Sequence, residues 1–130
     1  MPEPWSVYAT ADACDLAMRA PHAGRVAPDE VFVAGPIADD LRRAIVRVDP
    51  GAVLRDASQG WTEVDLPDGG RETFARLSSL RLPDGDGYVQ GDVARVAVRV
   101  FVDGDAIRLF VPAYWAAHLL ERVRRVEADR

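Results

Sequence analysis

The chain has 130 residues, enough for one hydrophobic core, and a net charge of −5 at neutral pH. The apolar fraction of 48% and the charged fraction of 28% are those of a globular protein, not of a disordered one. An acidic balance excludes nucleic-acid binding driven by a broad cationic surface. All 16 basic residues are arginines, so chemistry that needs a lysine, such as Schiff-base formation, is excluded as well.

Signals of redox compartment and membrane targeting are few. Cys14 is the single cysteine, which excludes an intramolecular disulfide and a multi-cysteine zinc site. Residues 1–10 lack the charged-then-apolar order of a signal sequence. No apolar run approaches the roughly 20 residues that a membrane-spanning helix needs. We therefore expect a cytoplasmic protein with no membrane or nucleic-acid partner.

The first 30 residues carry weak structural signals. Residues 5–8 suggest a short strand, and Thr10 suggests the start of a short helix that runs through Met18. Pro21 and Pro28 bracket a predicted loop that contains His22 and Gly24. We interpret residues 1–30 as a short N-terminal extension.

Clearer patterns follow from residue 31. Residues 31–34 predict a buried strand, and Gly35-Pro36 predicts a helix start because proline is tolerated in a first helical turn. The apolar positions of this helix share one face: Ile37, Leu41, Ala44, Ile45 and Val48. Residues 53–56 and 61–66 predict two strands, the second with Thr62, Val64 and Leu66 on its inner side. After a turn at residues 67–70, a second helix with Phe74, Leu77 and Leu80 facing inward is predicted.

The segment from residue 93 to residue 111 predicts a β-hairpin. Valines at 96, 98, 100 and 102 alternate with other residues, as do Ile107, Leu109 and Val111. Asp103-Gly104 favours a type I′ turn, which pairs Val100 with Ile107 and places Arg99 opposite Arg108. A final helix over residues 112–126 is predicted to bury five residues: Ala116, Leu119, Leu120, Val123 and Val126.

These elements predict an α+β fold. Their order, β-α-β-β-α-β-β-α, is ferredoxin-like, with helices on one side of an antiparallel sheet and two related half-motifs. We predict a single domain over residues 1–130, with its core at residues 31–126.

No catalytic constellation stands out from the residues. His22 has no acidic residue near it in sequence that would orient it for acid–base catalysis, and His118, opposite the apolar stripe of the last helix, is interpreted as a solvated surface histidine. Residues 84–87 begin like a calcium loop but lack the closing glutamate, and they are interpreted as a polar turn. The glycines at 85, 87 and 91 have the wrong spacing for a dinucleotide-binding loop and lead into a strand instead of a helix. We therefore predict no metal site.

One surface could carry a function. The outer face of the predicted hairpin presents Arg95, Arg99 and Arg108 beside Phe101 and Phe110. Arginine suits bidentate recognition of carboxylates, and aromatic rings supply apolar contact area. We predict that these five residues bind a ligand or a partner. The alternative is that Glu63 or Asp65, on a neighbouring strand, already neutralises the arginines.

Several segments together resemble the gamma subunit of heterotetrameric sarcosine oxidase, a family related in fold to the folate-binding glycine cleavage T-protein. The resemblance rests on VFVAGP at 31–36, VLRDAS at 53–58 with Gly60-Trp61, ETFARL at 72–77 and IRLFVP at 107–112 with Trp115 after it. It implies a subunit of a complex that oxidises a methylated amine, with flavin on a partner subunit and tetrahydrofolate as a candidate ligand. The T-protein uses a catalytic aspartate, which Asp92 matches only loosely in position.

The residues and the resemblance together suggest three alternative functions. The first is a non-catalytic accessory subunit of an amine-oxidising complex in one-carbon metabolism, with a flavoprotein partner and no cofactor bound by this chain alone. The second is a stand-alone module that binds folate or another small anion through the arginine–aromatic face. The third is a small aminomethyltransferase-like enzyme that uses Asp92.

Overall fold

The computed structural model describes residues 4–66 and 68–129. The chain divides into two compact units, Met1–Gln59 and Gly60–Arg130, each with its own four-stranded antiparallel sheet. The α+β prediction, with ferredoxin-like elements, is confirmed. Pro67, which belongs to the turn predicted over residues 67–70, lies outside the described residues.

The N-terminal unit has the β-α-β-β-α-β order of a ferredoxin-like motif. Its elements are β1 (Trp5–Tyr8), α1 (Ala11–Ala17), β2 (Ala23–Ala27), β3 (Glu30–Val33), α2 (Asp39–Val48) and β4 (Val53–Asp56). The sheet order is β2-β3-β1-β4, and every neighbouring pair is antiparallel. This order is the ferredoxin-like arrangement, in which the first and third strands are central.

Both helices of this unit contribute to one core. Thr10 begins α1 as predicted, because its side chain accepts a hydrogen bond from the Ala13 backbone N–H at 3.4 Å. Asp39 and Asp40 lie in the first turn of α2 and Arg47 in its last, where each charge complements the helix dipole. The buried core combines residues of both helices and of the central strands with Ile37, which precedes α2: Val7, Ala13, Cys14, Ala17, Val31, Val33, Ile37 and Ile45.

The C-terminal unit also has a four-stranded sheet and two α-helices, but its last three strands follow one another as a meander. Its elements are β5 (Trp61–Leu66), α3 (Gly70–Leu77), β6 (Gly87–Val93), β7 (Val96–Asp103), β8 (Ala106–Pro112) and α4 (Ala116–Ala128). A 3-10 turn (Ala113–Trp115) precedes α4. The sheet order is β5-β8-β7-β6, again antiparallel throughout.

The inward face of this second sheet is the one that the sequence predicts. Its buried residues pack with Phe74 of α3 and with Leu119 and Val123 of α4. They come from all four strands: Val64, Leu66, Val93, Val96, Val98, Val100, Val102, Ile107, Leu109 and Val111. Alternation along β7 and β8 therefore predicted their core residues correctly.

The hairpin register, however, differs from the predicted one by two residues. Val100 pairs with Leu109 and Val102 with Ile107, so Arg99 lies opposite Phe110 and not opposite Arg108. Gly104 has a φ of 62°, whereas Asp105 has no positive φ, a pattern typical of a type II′ turn with glycine in the first central position. A two-residue shift keeps every side chain on its predicted face, which is why hydrophobic alternation could not exclude it.

Several smaller predictions are also wrong. Residues 23–27, predicted as a loop, form β2, and residues 87–93, predicted to begin with a turn, form β6. Helix α2 begins at Asp39, so Pro36 precedes the helix instead of lying in its first turn. Val48 and Leu120, predicted as core residues, are exposed by 49% and 36%.

Candidate functional site

The outer face of the second sheet is formed by side chains that alternate with the core residues. One cross-strand row runs Asp65, Arg108, Phe101 and Tyr88 across β5, β8, β7 and β6. The next row runs Glu63, Phe110, Arg99 and Gln90. Two of the three predicted arginines, Arg99 and Arg108, therefore share this face. Phe110 lies opposite Arg99, and Phe101 lies opposite Arg108.

Arg108 is held by a carboxylate of its own chain. Its Nε–H donates to Glu63 Oε2 at 3.0 Å, and its Nη2–H donates to Oε1 at 3.1 Å. The two side chains are only 17% and 20% exposed, so this bidentate pair is largely removed from water. For Arg108, the structure agrees with the alternative in which a neighbouring strand neutralises the cluster.

Asp65 completes a charged triad with Glu63 and Arg108. The hydrogen bonds from Arg108 lower the pKa of Glu63, against the effect of desolvation. Desolvation, followed by the hydrogen bond with Glu63 and repulsion from its charge, raises the pKa of Asp65 to about 6. Two carboxyl groups beside one guanidinium cannot both be stabilised as anions, and Glu63 takes the favoured position.

Arg99 contacts aromatic residues. Its guanidinium carbon lies 4.1 Å from the centre of the Trp61 ring, within the range of a cation–π interaction. The Phe101 and Phe110 rings meet edge to face at 5.7 Å, and Tyr88 lies 4.9 Å from Phe101. Phe101 and Phe110 are only 3% and 1% exposed. These contacts are those of a packed structural layer, and ligand or partner binding by this face stays a prediction.

Arg95 is not part of that face. It belongs to the two-residue turn between β6 and β7, because Val93 pairs with Val96 and leaves Ala94 and Arg95 unpaired. Both turn residues have a positive φ, 50° and 69°, as a type I′ turn requires. Glycine or asparagine normally occupies such positions, and each non-glycine residue held there costs about 1–3 kcal/mol. In this turn, Arg95 lines a cavity.

This cavity, which we call the α3–α4 cavity, has a volume of about 770 Å³. It lies within the C-terminal unit, where the end of α3, the β6–β7 turn and the first half of α4 meet. Its lining residues are Leu77, Ser78, Ser79, Asp92, Ala94, Arg95, Val96, Trp115, His118 and Arg122. The structure therefore brings two residues singled out in the sequence, Asp92 and Arg95, to one place, together with His118.

Asp92 lines the cavity, and its backbone is tied to the residue that follows α3. Its carbonyl oxygen accepts a hydrogen bond from the Ser78 hydroxyl at 2.6 Å. Because side chains alternate along β6, the Asp92 carboxylate belongs to the sheet face opposite that of buried Val93. His22 is in the other unit and is exposed. A catalytic role of Asp92 stays a prediction.

Sequence reasoning missed Ser79, Trp115 and Arg122 as residues of one site. A signal was present for part of the set, because Trp115, His118 and Arg122 are spaced three and four residues apart and share a helical face. Their meeting with Arg95 depends on a turn that carries no glycine or asparagine. No sequence pattern predicted that these residues would meet Arg95.

The part of the chain that the structure describes has neither a metal-binding cluster nor a membrane-spanning helix. Residues 4–66 and 68–129 contain no group of three or more His, Cys, Asp or Glu side chains that could hold a metal ion. None of the helices in these two ranges is both long enough and apolar enough to cross a bilayer.

Comparison with known proteins identifies the fold. No family model matches the chain, and no curated protein matches it in sequence. Among solved structures, a chain of the heterotetrameric sarcosine oxidase from Corynebacterium sp. U-96, in complex with pyrrole 2-carboxylate, is similar in structure with a TM-score of 0.73. The match covers 98% of this chain and 80% of that chain, at 13% sequence identity. The chain therefore has a sarcosine oxidase subunit-like fold.

Proposed function

We propose that the chain is a non-catalytic accessory subunit of a multi-subunit, amine-oxidising complex that resembles sarcosine oxidase and acts in one-carbon metabolism. The observation that carries this proposal is the fold likeness over 98% of the chain to a chain of a heterotetrameric sarcosine oxidase. The segments that resemble the gamma subunit are distributed over both units of the same fold. We therefore infer that this chain takes the place of the gamma subunit in such a complex.

The contacts of the ionisable residues support an accessory role. Glu63 and Arg108 satisfy each other in a bidentate pair, which leaves neither poised to act on a substrate. Asp92 and His118 both line the α3–α4 cavity, but no hydrogen bond joins their side chains in the part of the chain that the structure describes. Acid–base catalysis needs groups within hydrogen-bond reach of a common reacting atom.

The exposed aromatic residues before α4 suggest where a partner binds. Tyr114 and Trp115 are 82% and 46% exposed, and their rings lie 5.7 Å apart. Large aromatic side chains are enriched in protein interfaces, where they often contribute most of the binding free energy. We expect Tyr114, the more exposed of the two, to contact the partner subunit.

We expect flavin on that partner and not on this chain. The glycines that most resemble a dinucleotide-binding loop, Gly87 and Gly91, lie within strand β6, where no helix N-terminus faces a pyrophosphate. Tetrahydrofolate stays a candidate ligand of the assembly, and a cytoplasmic location stays an expectation.

Affinity purification of the tagged chain from its native cell tests the proposal. We expect the chain to elute with a larger subunit that shows flavin absorbance, and the assembly to oxidise sarcosine or a related N-methyl amine. The same chain purified alone should show neither property. Stoichiometric flavin in the isolated chain, or sarcosine turnover by it, would contradict the accessory role.

A pair of tyrosine variants tests the location of the interface. Tyr114→Ser should lower recovery of the partner at least about threefold, because removal of a central aromatic contact commonly costs more than about 1 kcal/mol. Tyr8→Ser is the matched control, since Tyr8 is also exposed, by 43%, but lies in the N-terminal unit. Equal recovery with both variants would place the interface elsewhere.

A further inference from the structure

We propose that the α3–α4 cavity binds a small organic anion that has a planar, apolar body. The proposal concerns a site separate from the Arg99–Arg108 face, and it does not depend on the assembly proposed above. It rests on the volume, rigidity and charge of the cavity.

The cavity has the dimensions and the fixed walls of a small-molecule site. Its volume of about 770 Å³ is in the range of pockets that enclose small ligands. The Ser78 hydroxyl donates to the Asp92 carbonyl and accepts from the Leu80 N–H at 3.0 Å. The Ala94 N–H donates to the Leu77 carbonyl at 3.1 Å. These bonds tie the end of α3 to the β6–β7 hairpin, so this part of the cavity wall is held in place without a ligand.

The charged side chains that line the cavity select for an anion. Arg95 and Arg122 approach it from the β6–β7 turn and from α4. Neither guanidinium forms a hydrogen bond or an ion pair with another residue in the described ranges 4–66 and 68–129. Two such arginines at one cavity, in a chain whose net charge is −5, form a local site for a carboxylate. The left-handed turn residues that hold Arg95 there are strained, and backbone strain of this kind is concentrated at ligand sites.

The remaining lining residues favour a flat, apolar body. The Trp115 ring is 46% exposed and lies 5.9 Å from the His118 ring in an edge-to-face arrangement. Leu77 and Val96 also line the cavity and add aliphatic surface, and Ser79 adds a hydroxyl group. An aromatic carboxylate satisfies both features, with its ring against Trp115 and its carboxylate toward the arginines.

Titration of the full chain with benzoate, followed by two-dimensional amide NMR, tests this inference. We expect saturable shifts at the amides of Ala94 and Arg95 and at the indole N–H of Trp115. Benzamide, which has the same ring without the charge, and inorganic phosphate, which has charge without the ring, should each bind at least about threefold more weakly. Equal binding of benzamide would refute the role of the arginines, and equal binding of phosphate would refute the role of Trp115.

Charge variants complete the test. Arg122→Gln and Arg95→Gly should each raise the dissociation constant for benzoate at least about threefold, as expected for the loss of a partly solvated ion pair. Arg95→Gly also removes backbone strain, so a weaker affinity could not be explained by unfolding. Arg124→Gln is the control, because Arg124 is exposed on the same helix and does not line the cavity. Unchanged affinity in both test variants, or shifts confined to residues outside the cavity, would overturn the proposal.

Discussion

Replacement of Glu63 by glutamine should destabilise the protein by about 1–3 kcal/mol at neutral pH. The Glu63–Arg108 pair is bidentate, and its two side chains are only 17% and 20% exposed. Exposed ion pairs contribute about 0–1 kcal/mol, whereas removing one partner of a fully buried pair costs about 3–5 kcal/mol. The partial burial of this pair places the expected loss between those limits.

The neighbouring Asp65 should respond with the opposite sign. Its pKa is raised to about 6, above the ordinary value of about 3.9, so the folded state binds the proton more tightly than the unfolded state. The ionised carboxylate therefore lowers stability as pH rises through this range. Asp65→Asn should stabilise the fold at pH 7 to 8, and the gain should disappear as pH falls from about 6 towards about 4. The lowered pKa of Glu63 acts in reverse, so its contribution is lost in acid below its unfolded pKa of about 4.3.

The two variants should be strongly coupled. Once Glu63 is neutral, Asp65 loses the repulsion that raises its pKa and becomes the carboxylate that faces Arg108 across the β5–β8 pair. Asp65→Asn should therefore stabilise the wild-type chain but destabilise the Glu63→Gln chain. If the effect of Asp65→Asn on stability reverses in this way, the two residues interact directly.

Urea unfolding of the four chains at several pH values provides the measurement. A loss of about 2 kcal/mol would lower the midpoint by about 1 M urea, for a dependence of about 2 kcal/mol per molar. A loss below about 0.5 kcal/mol for Glu63→Gln would show that the pair behaves as a solvated surface pair. Additive effects of the two substitutions would refute the shared triad.

Three further predictions follow from the second sheet, each checked by the same unfolding measurement. Arg99→Ala should lower stability by about 0.5–2 kcal/mol because it removes the cation–π contact with Trp61, and a gain in stability would contradict this contact. Val98→Ala should cost about 1–3 kcal/mol because Val98 is only 2% exposed in the core, and a change within about 0.5 kcal/mol would mean that the wrong face is inside. Both Arg95 and Gly104 have a positive φ, which glycine adopts more readily than other residues. Arg95→Gly should therefore stabilise the fold by about 0.5–1 kcal/mol, whereas Gly104→Ala should destabilise it by about 1 kcal/mol or more. If both substitutions changed the stability in the same direction, the turn assignments would be refuted.

Much of the fold was predictable from local patterns. The sequence predicts the strands at 5–8, 53–56 and 61–66 and the helix start at Thr10, and the structure confirms them. The two missed strands, β2 and β6, are edge strands that contain glycine and lack clear alternation. Their strand character comes from pairing with β3 and β7, which a local pattern does not reveal.

The candidate site was less predictable, because it depends on register and on turn geometry. Alternation correctly placed Arg99 and Arg108 on the outer face, yet the two-residue shift removed the like-charge pair and put aromatic rings between them. The strand alternation also suggested that Arg95 joins them, but Arg95 lies in the tight turn between β6 and β7, where it lines the α3–α4 cavity.

The sequence by itself determined which side chains of β7 and β8 face the core, because burial of apolar surface depends on the period of the hydrophobic pattern, and that period is a local property. Only the tertiary structure decided which residues meet across strands and helices. Registers two residues apart bury the same side chains, so contacts between elements must select among them. Here the Asp86 carboxylate accepts the Gly104 N–H at 2.8 Å, and Glu63 accepts both bonds from Arg108, contacts that join residues 18 and 45 positions apart.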